Sequence, residues 1–394
     1  MGLRFQTGGE SHGPGGLAFL EGLPKGLPLD LEFIDSQLAR RQRGYGRSGR
    51  QGIEKDHAEI LGGTRAGRCL EAPLLLWVAN RDATIEDRDQ LASPRPGHAD
   101  LAGCLRHGDR DLRANLERAS ARETAARVAA GAVAQLLLRS IGCEVLGHVI
   151  GIGGVGLPGE PGSGLDSLES LSQARARVEG SEFGVVEASA EPEMKVRIDE
   201  ARRLGDSVGG QVEVVAVGVP AGLGSFAQWD ARLDGRLAQA LLSIPAIKAF
   251  GVGMGPAVGD CLGSEVHDPI LPPAGDAPDR IPGRASNRAG GLEAGISNGQ
   301  PLVLRASMKP ISTLRKGLPS VDLASGAPVQ AAFERSDVCA VPAAAVVAEA
   351  MTALVLAGAA LELFGGASLE AFLSAHREHV ERMGWICGPS GERA

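Results

Sequence analysis

Two histidines in this sequence lie in short glycine-rich segments, Gly8-Gly9-Glu10-Ser11-His12-Gly13-Pro14 and Arg95-Pro96-Gly97-His98-Ala99-Asp100. Imidazole titrates near neutrality, so two of them beside turn glycines and guanidinium groups suggest proton transfer on an anionic substrate. Neither sits in an apolar helical stripe, although a histidine in a turn is as readily a hydrogen-bonded structural residue. Arginines supply the matching charge. Arg40, Arg41, Arg43, Arg47 and Arg50 fall within eleven residues, and Arg106, Arg110, Arg113, Arg118, Arg122 and Arg127 follow. Guanidinium forks match carboxylate and phosphate geometry, which makes such clusters in an acidic chain candidates for anion recognition. The alternative is a solvated helix face paired with Asp109, Asp111, Glu117 and Glu123, and it accounts for Arg110, Arg113 and Arg127.

Other groups carry two readings each. Ser120-Ala121-Arg122-Glu123 matches a capping box, which makes Ser120 a helix cap worth about 1 kcal/mol or a hydroxyl beside reacting groups. Arg118 and Arg122 flank it at a helix N-terminus that already favours an anion. Asp337 is either a surface cap for a following helix or an acid. Lys309-Pro310-Ile311-Ser312-Thr313 either presents N–H groups and a cation to a phosphate or is an ordinary turn. Gly151-Ile152-Gly153-Gly154-Val155-Gly156 fits the dinucleotide pattern, but Leu157-Pro158-Gly159 follows where a helix must start, so no nicotinamide site is assigned there.

The elements that position these groups read as mixed α and β. Leu31, Ile34 and Leu38 after Asp30 predict a helix over 31–42; 120–138 and 343–363 predict alanine-rich helices. Residues 17–20, 72–78, 143–150, 212–219 and 302–308 read as strands. Residues 44–52, with alternating glycines and arginines, read as a mobile basic loop. The glycine- and proline-rich stretches 151–164 and 270–291 are either linkers or surface loops. With no repeat and no composition shift, one domain over 1–394 with a tail at 380–394 is expected.

Composition bounds the function. A net charge of −8 argues against general nucleic-acid or anionic-membrane binding. No leader pattern and no apolar run approaching bilayer-spanning length are read in the sequence, so a cytoplasmic chain is expected. The six cysteines are dispersed without metal-ligand spacing, which suits reduced thiols and no metal site. Aromatics make up only 3% while 56 residues are glycine, which points to close backbone packing.

Together these motifs resemble chorismate synthase. The resemblance rests on Gly-Glu-Ser-His-Gly-Pro at 9–14, Arg-Arg-Gln at 40–42, Gly-Tyr-Gly-Arg at 44–47 and Arg-Pro-Gly-His-Ala-Asp at 95–100. It continues through Glu-Arg-Ala-Ser-Ala-Arg-Glu-Thr at 117–124, Ser-Asn-Gly-Gln-Pro at 297–301, Lys309 to Thr313 and Arg-Ser-Asp at 335–337, and so covers all but the last dozen or so residues. It implies an α+β fold, a layered β-α-β sandwich of antiparallel sheets and helices, assembled as a homotetramer. The implied reaction is anti 1,4-elimination of phosphate from 5-enolpyruvylshikimate 3-phosphate, using reduced FMN (FMNH2) without net redox change and drawing it from an external flavin reductase.

The resemblance also implies roles. His12, with Ser11 and Ser120 nearby, would protonate the departing phosphate; His98 would stand by the flavin N1 region; Asp337 would act at the flavin N5. Arg41, Arg47, Arg50 and Arg122 would hold substrate anions, with Arg95 a further candidate. FMN contacts would come from Arg118, Ala119, Ser120, Pro245, Ala246, Ala294, Lys309, Pro310, Ile311, Ser312, Thr313 and Arg335. This chain departs from the family pattern at Ala119 (a serine in many relatives), Pro245 (asparagine), Ala294 (glycine) and Val338 (proline). Two other classes remain open at this point: a flavin-dependent oxidoreductase acting on an anionic substrate, and a polyanion-binding module without chemistry.

Overall fold

The computed structural model of the chain describes residues 2–47, 55–156, 159–272, 282–334 and 336–383. Strands β1 (Arg4–Gly8), β2 (Gly15–Glu21), β3 (Ala58–Gly62) and β4 (Leu74–Ala79) form an antiparallel sheet in the order β1-β2-β4-β3. A second antiparallel sheet, ordered β8-β9-β7-β5-β6, contains β5 (Glu144–Ile152), β6 (Val155–Gly156), β7 (Gly210–Val217), β8 (Ile247–Val252) and β9 (Leu302–Met308). Helices α1 (Leu31–Gln42), α2 (Ala99–His107), α3 (Leu112–Ala119), α4 (Thr124–Arg139), α5 (Leu168–Gly180), α6 (Glu191–Leu204), α7 (Leu233–Leu242), α8 (Val341–Phe364) and α9 (Leu369–Met383) complete the frame used below.

The two sheets sandwich a helical layer. Helix α4 packs on β2 and β4 of the first sheet, α8 packs on β5 and β7 of the second, and the two helices pack on each other. Small residues set that spacing. A Cβ added at Gly131 of α4 would fall 2.4 Å from the Ala350 Cβ of α8, and one added at Gly147 of β5 would fall 2.2 Å from the Ala345 carbonyl oxygen. The outer face of the second sheet is covered in part by α5, where Leu171 and Ala174 meet Leu146, Val215 and Val303.

The central layer also holds a buried ion network. Glu349, fully buried on α8, accepts two hydrogen bonds from the Arg40 guanidinium at 2.8 and 2.9 Å and one from the Gly147 N–H at 2.8 Å, with Arg175 at 3.4 Å. Burial pushes this carboxyl up, but the two arginines and the Gly147 N–H outweigh it and bring it down to about 2.

The helix expected over 31–42 is present with those bounds, and Asp30 caps it by accepting from the Phe33 N–H at 3.0 Å. The expected strand 302–308 is β9, and the long buried helix is α8, one or two residues longer at each end. Several expectations need correction. The segment before residue 9, given no element in the sequence reading, is a strand, β1, paired along its whole length with β2. No capping box forms at Ser120: a single 3-10 turn at Ala121–Glu123 precedes α4, the Ser120 Oγ accepts from the Arg122 N–H, and Glu123 bonds Thr7 and Arg127 instead. Helix α8 is long and apolar enough to cross a bilayer, contrary to the reading of the sequence, yet 94% of its most apolar stretch is buried inside the protein and it carries Glu349. The 151–156 glycines turn β5 into β6 as a hairpin, and among the described residues that follow the next helix is α5, from Leu168. Of the loop at 44–52, residues 44–47 are tied down, as described below, and the rest lies outside the described residues, as does the tail beyond Met383.

Candidate active site

His12 sits in the loop joining β1 to β2. That loop needs glycine at position 9, where φ is +102° and a Cβ would fall 2.1 Å from the Gly15 carbonyl oxygen. Asn80, at the end of β4, fastens the loop: its side-chain amide donates to the carbonyls of Glu10, Ser11 and Gly13 at 3.1, 3.3 and 2.8 Å. On the other side stands α3. The Ser11 N–H donates to the Glu117 carbonyl at 3.0 Å, the His12 N–H to the Glu117 carboxylate at 2.8 Å, and His12 Nδ1 lies 2.9 and 3.1 Å from the two carboxylate oxygens. The Ser120 hydroxyl donates to the Ser11 hydroxyl at 3.0 Å, so the three expected partners His12, Ser11 and Ser120 are brought together. His12 and Glu117 are both buried. Burial raises the Glu117 carboxyl, but the His12 side-chain and backbone hydrogen bonds and the Arg113 charge outweigh it and leave it below its ordinary value.

Beside this loop, two of the expected anion-binding arginines converge on one carboxylate. Arg122 reaches both oxygens of Asp56 at 2.7 and 2.8 Å and Arg41 reaches it at 2.6 Å; Arg122 also donates to the Asn80 side chain at 2.6 Å. Asp56 is buried and carries one negative charge against two guanidinium groups. Burial lowers the Arg41 pKa, and the charges of Arg122 and Arg47 lower it further against the pull of Asp56. The Nε atoms of Arg41 and Arg47 are buried without a hydrogen-bond partner among the described residues. Crowded, under-compensated guanidinium groups of this kind suit an incoming anion.

Asp337 is not the cap of α8, whose N-cap is Ala340 without a side-chain bond. Its carboxylate pairs instead with Arg47 at 2.9 Å. The neighbouring backbone locks the start of the basic loop: the Val338 and Cys339 N–H groups donate to the Gly46 carbonyl at 2.9 and 3.3 Å, and the Tyr45 hydroxyl donates to Asp199 of α6 at 2.8 Å. Arg50 and Arg335 lie outside the described residues.

His98 ends the turn before α2, with its Nδ1 hydrogen-bonded to Asp100. Asp100, fully buried, also takes Arg95 through Nε at 2.8 Å and through the Arg95 N–H at 3.0 Å. Burial raises the Asp100 carboxyl, and the hydrogen bonds from His98 and Arg95 overcome this and hold it far below the usual carboxylate range. The Lys309–Thr313 segment closes over this turn. Arg95 donates to the Thr313 hydroxyl at 2.9 Å, while the Lys309 ammonium and Ser312 hydroxyl both donate to the Gly97 carbonyl, at 3.0 and 2.9 Å. Burial and the nearby Lys248 charge lower the Lys309 pKa. Among the described residues no carboxylate pairs with either lysine, so this corner has room for a phosphate's charge.

The remaining flavin candidates are placed unevenly. The Ala246 carbonyl accepts from the Lys309 N–H at 2.9 Å, which brings Pro245 and Ala246 to the lysine segment. Ala246 and Ala294 both have left-handed φ values, +70° and +52°, a conformation that favours glycine. Ala294, however, sits beside Gly295, whose carbonyl accepts from Leu233 at the start of α7, whereas Ala246 follows the end of that helix. A ten-residue helix spans about 15 Å, so Ala294 is not gathered with the lysine segment. Among the described residues Arg118 reaches Thr7, at 3.2 Å, from the end of α3, next to Ala119.

Sequence reasoning missed the carboxylates and the amide that hold these groups. Asp56 and Asn80 stand in no motif, and only the fold reveals them. Glu117 and Asp100 lie inside quoted motifs, two residues from Ala119 and His98 respectively, but the sequence reading makes Glu117 an exterior ion-pair partner. Asp82, 3.8 Å from His12 Nε2 and held by Arg88 at 2.8 Å, was likewise unassigned.

Comparison with known proteins closes the question of family. A family profile described as chorismate synthase matches residues 3–361. Chorismate synthase of Desulforudis audaxviator (strain MP104C) is 50% identical over 396 residues, 97% of this chain and 98% of that one. The enzyme of Koribacter versatilis (strain Ellin345) is 47% identical over 395 residues, 97% of this chain and 99% of the relative. A crystal structure of chorismate synthase shares the α+β fold with a TM-score of 0.80 and 40% identity, covering 98% of this chain and 99% of the other. Its sequence and its fold alike, along nearly the whole length, thus show that this chain belongs to the chorismate synthase family of lyases.

Proposed function

We propose that the chain eliminates phosphate from 5-enolpyruvylshikimate 3-phosphate to give chorismate, with reduced FMN as cofactor. In this reaction a ring C–H bond and the C–O bond to the phosphate break, a second ring double bond forms, and the phosphate departs with the C–O electron pair. The observation that carries the reading is the crowding of Arg41, Arg47 and Arg122 against Asp56 and Asp337 alone among the described residues, with two buried Nε atoms lacking a hydrogen-bond partner among those residues, in the frame that holds His12, Ser11 and Ser120.

Arg41, Arg47, Arg50 and Arg122 bind the substrate's phosphate and carboxylates. His12 gives a proton to the departing phosphate oxygen, since a leaving group of that charge departs slowly unless neutralised. Ser11 and Ser120 orient that oxygen. Reduced FMN, when bound, supplies electron density to the substrate during the elimination. The Lys309–Thr313 corner, where the Lys309 and Lys248 ammonium groups meet no carboxylate among the described residues, fits the flavin's phosphate, and Ser120, Ala246 and, by the family resemblance, Arg335 complete its setting. His98, backed by Asp100, holds a proton toward the flavin's N1 side, and Asp337 moves a proton at the flavin's N5 side. A cytoplasmic homotetramer served by an external flavin reductase is part of the same reading.

The test is anaerobic turnover with photoreduced FMN. Chorismate and phosphate should form in equal amounts while the flavin stays reduced; stoichiometric flavin oxidation would overturn the reading in favour of an oxidoreductase. His12→Ala should lower turnover by about 10²- to 10⁴-fold, the usual contribution of a general acid, with FMN binding retained. Near-normal rates in both His12→Ala and His98→Ala would refute the roles given to the histidines.

A further inference from the structure

Glu117 does more than pair with a neighbour. Its carboxylate receives the His12 backbone N–H at 2.8 Å and faces His12 Nδ1 at 2.9 and 3.1 Å, while its own carbonyl receives the Ser11 N–H at 3.0 Å. Its side chain is 1% exposed, and Arg113, one turn earlier on α3, lies 3.6 Å from it and is itself tied to Glu334 at 3.0 Å. An ionised carboxylate only accepts hydrogen bonds. The Nδ1 facing it therefore carries hydrogen in both the neutral and the charged ring, and Nε2 is the nitrogen whose proton comes and goes.

On the Nε2 side the competing carboxylate stands beyond hydrogen-bond distance and is partly neutralised. From the segment after β4, Asp82 approaches Nε2 at 3.8 Å and is held by Arg88, and the Ile85 N–H donates to the His12 carbonyl at 3.0 Å. Thr84, Arg88, Arg113 and Glu334 line a polar cleft beside this pocket. Among the described residues the charged groups facing the ring are thus Glu117 from α3, with Arg113 behind it, and Asp82 from the segment after β4, with Arg88 behind it.

We infer that Glu117 is a positioning residue that fixes the Nδ1–H tautomer of His12 and so makes Nε2 the proton-delivering atom. The inference deepens the proposed role of His12 as the acid for the leaving phosphate and rests on it. It also explains why a buried loop histidine is clamped at three points, ring, N–H and the preceding residue's N–H, by one helical residue.

Ring ¹⁵N chemical shifts of His12 in the whole histidine-labelled protein read the tautomer directly, with the signal assigned by its loss in His12→Gln. At a pH where the ring is neutral, the wild-type protein should show hydrogen on Nδ1 and a lone pair on Nε2; hydrogen on Nε2 would overturn the inference without any Glu117 variant. In Glu117→Ala the hydrogen should shift to Nε2 and kcat should fall about a hundredfold, the lower end of a general acid's contribution. Glu117→Gln, whose amide oxygen still accepts, should keep the Nδ1–H tautomer and recover much of kcat, with the basic limb of its pH–rate profile moved to lower pH because the negative charge is gone. A uniform rate loss across pH with an unchanged tautomer in both variants would reduce Glu117 to a structural residue. If His12→Ala kept full turnover, the acid role would fall, and the ring shifts would still decide whether Glu117 sets the tautomer.

Discussion

Replacing Glu349 by glutamine removes one charge from the middle of the protein while preserving its size. The wild-type carboxylate satisfies the Arg40 fork at 2.8 and 2.9 Å and the Gly147 N–H at 2.8 Å, and Arg40 is itself buried. Glutamine offers a single acceptor oxygen and turns an N–H₂ toward Arg40. Removing one partner of a buried ion pair costs about 3–5 kcal/mol, because the surviving charge stays desolvated. An unfolding entropy of about 2.1 cal/mol/K per residue converts this, for a chain of this length, into a fall in Tm of about 4–6 °C. Urea midpoints and thermal melts both measure it. The pH dependence adds a second signature. The Glu349 carboxyl is depressed from 4.5 to about 2 in the folded protein, so its contribution is present above its ordinary value and is lost as pH falls toward about 2. Glu349→Gln should therefore lose stability mainly above about pH 5, and the curves should approach each other in acid. The double variant Arg40→Met/Glu349→Leu should recover much of the loss, since neither charge is then stranded. A single-variant cost under about 1 kcal/mol, or a double variant no better than the single, would refute the assignment of the cost to an orphaned guanidinium.

Asp56→Asn should leave Arg41 and Arg122 facing each other without compensation and cost about 3 kcal/mol. Added inorganic phosphate should raise the Tm of this variant more than that of the wild type; an equal rise would mean the arginines are not short of negative charge. Gly131→Val forces side-chain atoms into Ala350 across the α4–α8 contact and should cost about 1–3 kcal/mol by overpacking, read from urea midpoints, whereas the same change at the open Gly180 should be far milder.

The helix over 31–42 was legible because local rules coincide there: a capping aspartate, apolar residues at helical spacing and arginines at the far end. Strand β9 was legible for a similar reason, a valine- and leucine-rich run bounded by proline on each side. At Ser120 the local rule failed because Glu123 is drawn away, across the fold to Thr7 and one turn on to Arg127, while Ser120 accepts from the Arg122 N–H and donates to Ser11. Strand β1 escaped notice because Arg4-Phe5-Gln6-Thr7-Gly8 is barely apolar and becomes a strand through its pairing with β2. Reading the site followed the same division. The histidines, serines and arginines announce themselves by type and local setting, whereas Asp56, Asn80 and Glu117 act across separations of 15 to 105 residues that no spacing rule spans.

The small residues between the two sheets have a consequence for what ordering that layer costs. Alanine and glycine lose no side-chain rotamers on burial, whereas a leucine or isoleucine in the same place loses about 0.5–1 kcal/mol of that freedom. Helix α8 buries nine alanines between Ala343 and Ala360, besides the valines and leucines that fill the remaining space. Such a layer gives up hydrophobic area per residue, yet it freezes with little loss of side-chain motion and leaves few alternative rotamers in which to repack. The platform beneath the arginine-rich site is consequently one with little configurational slack, so that catalytic loops move, where they move, against a nearly incompressible floor.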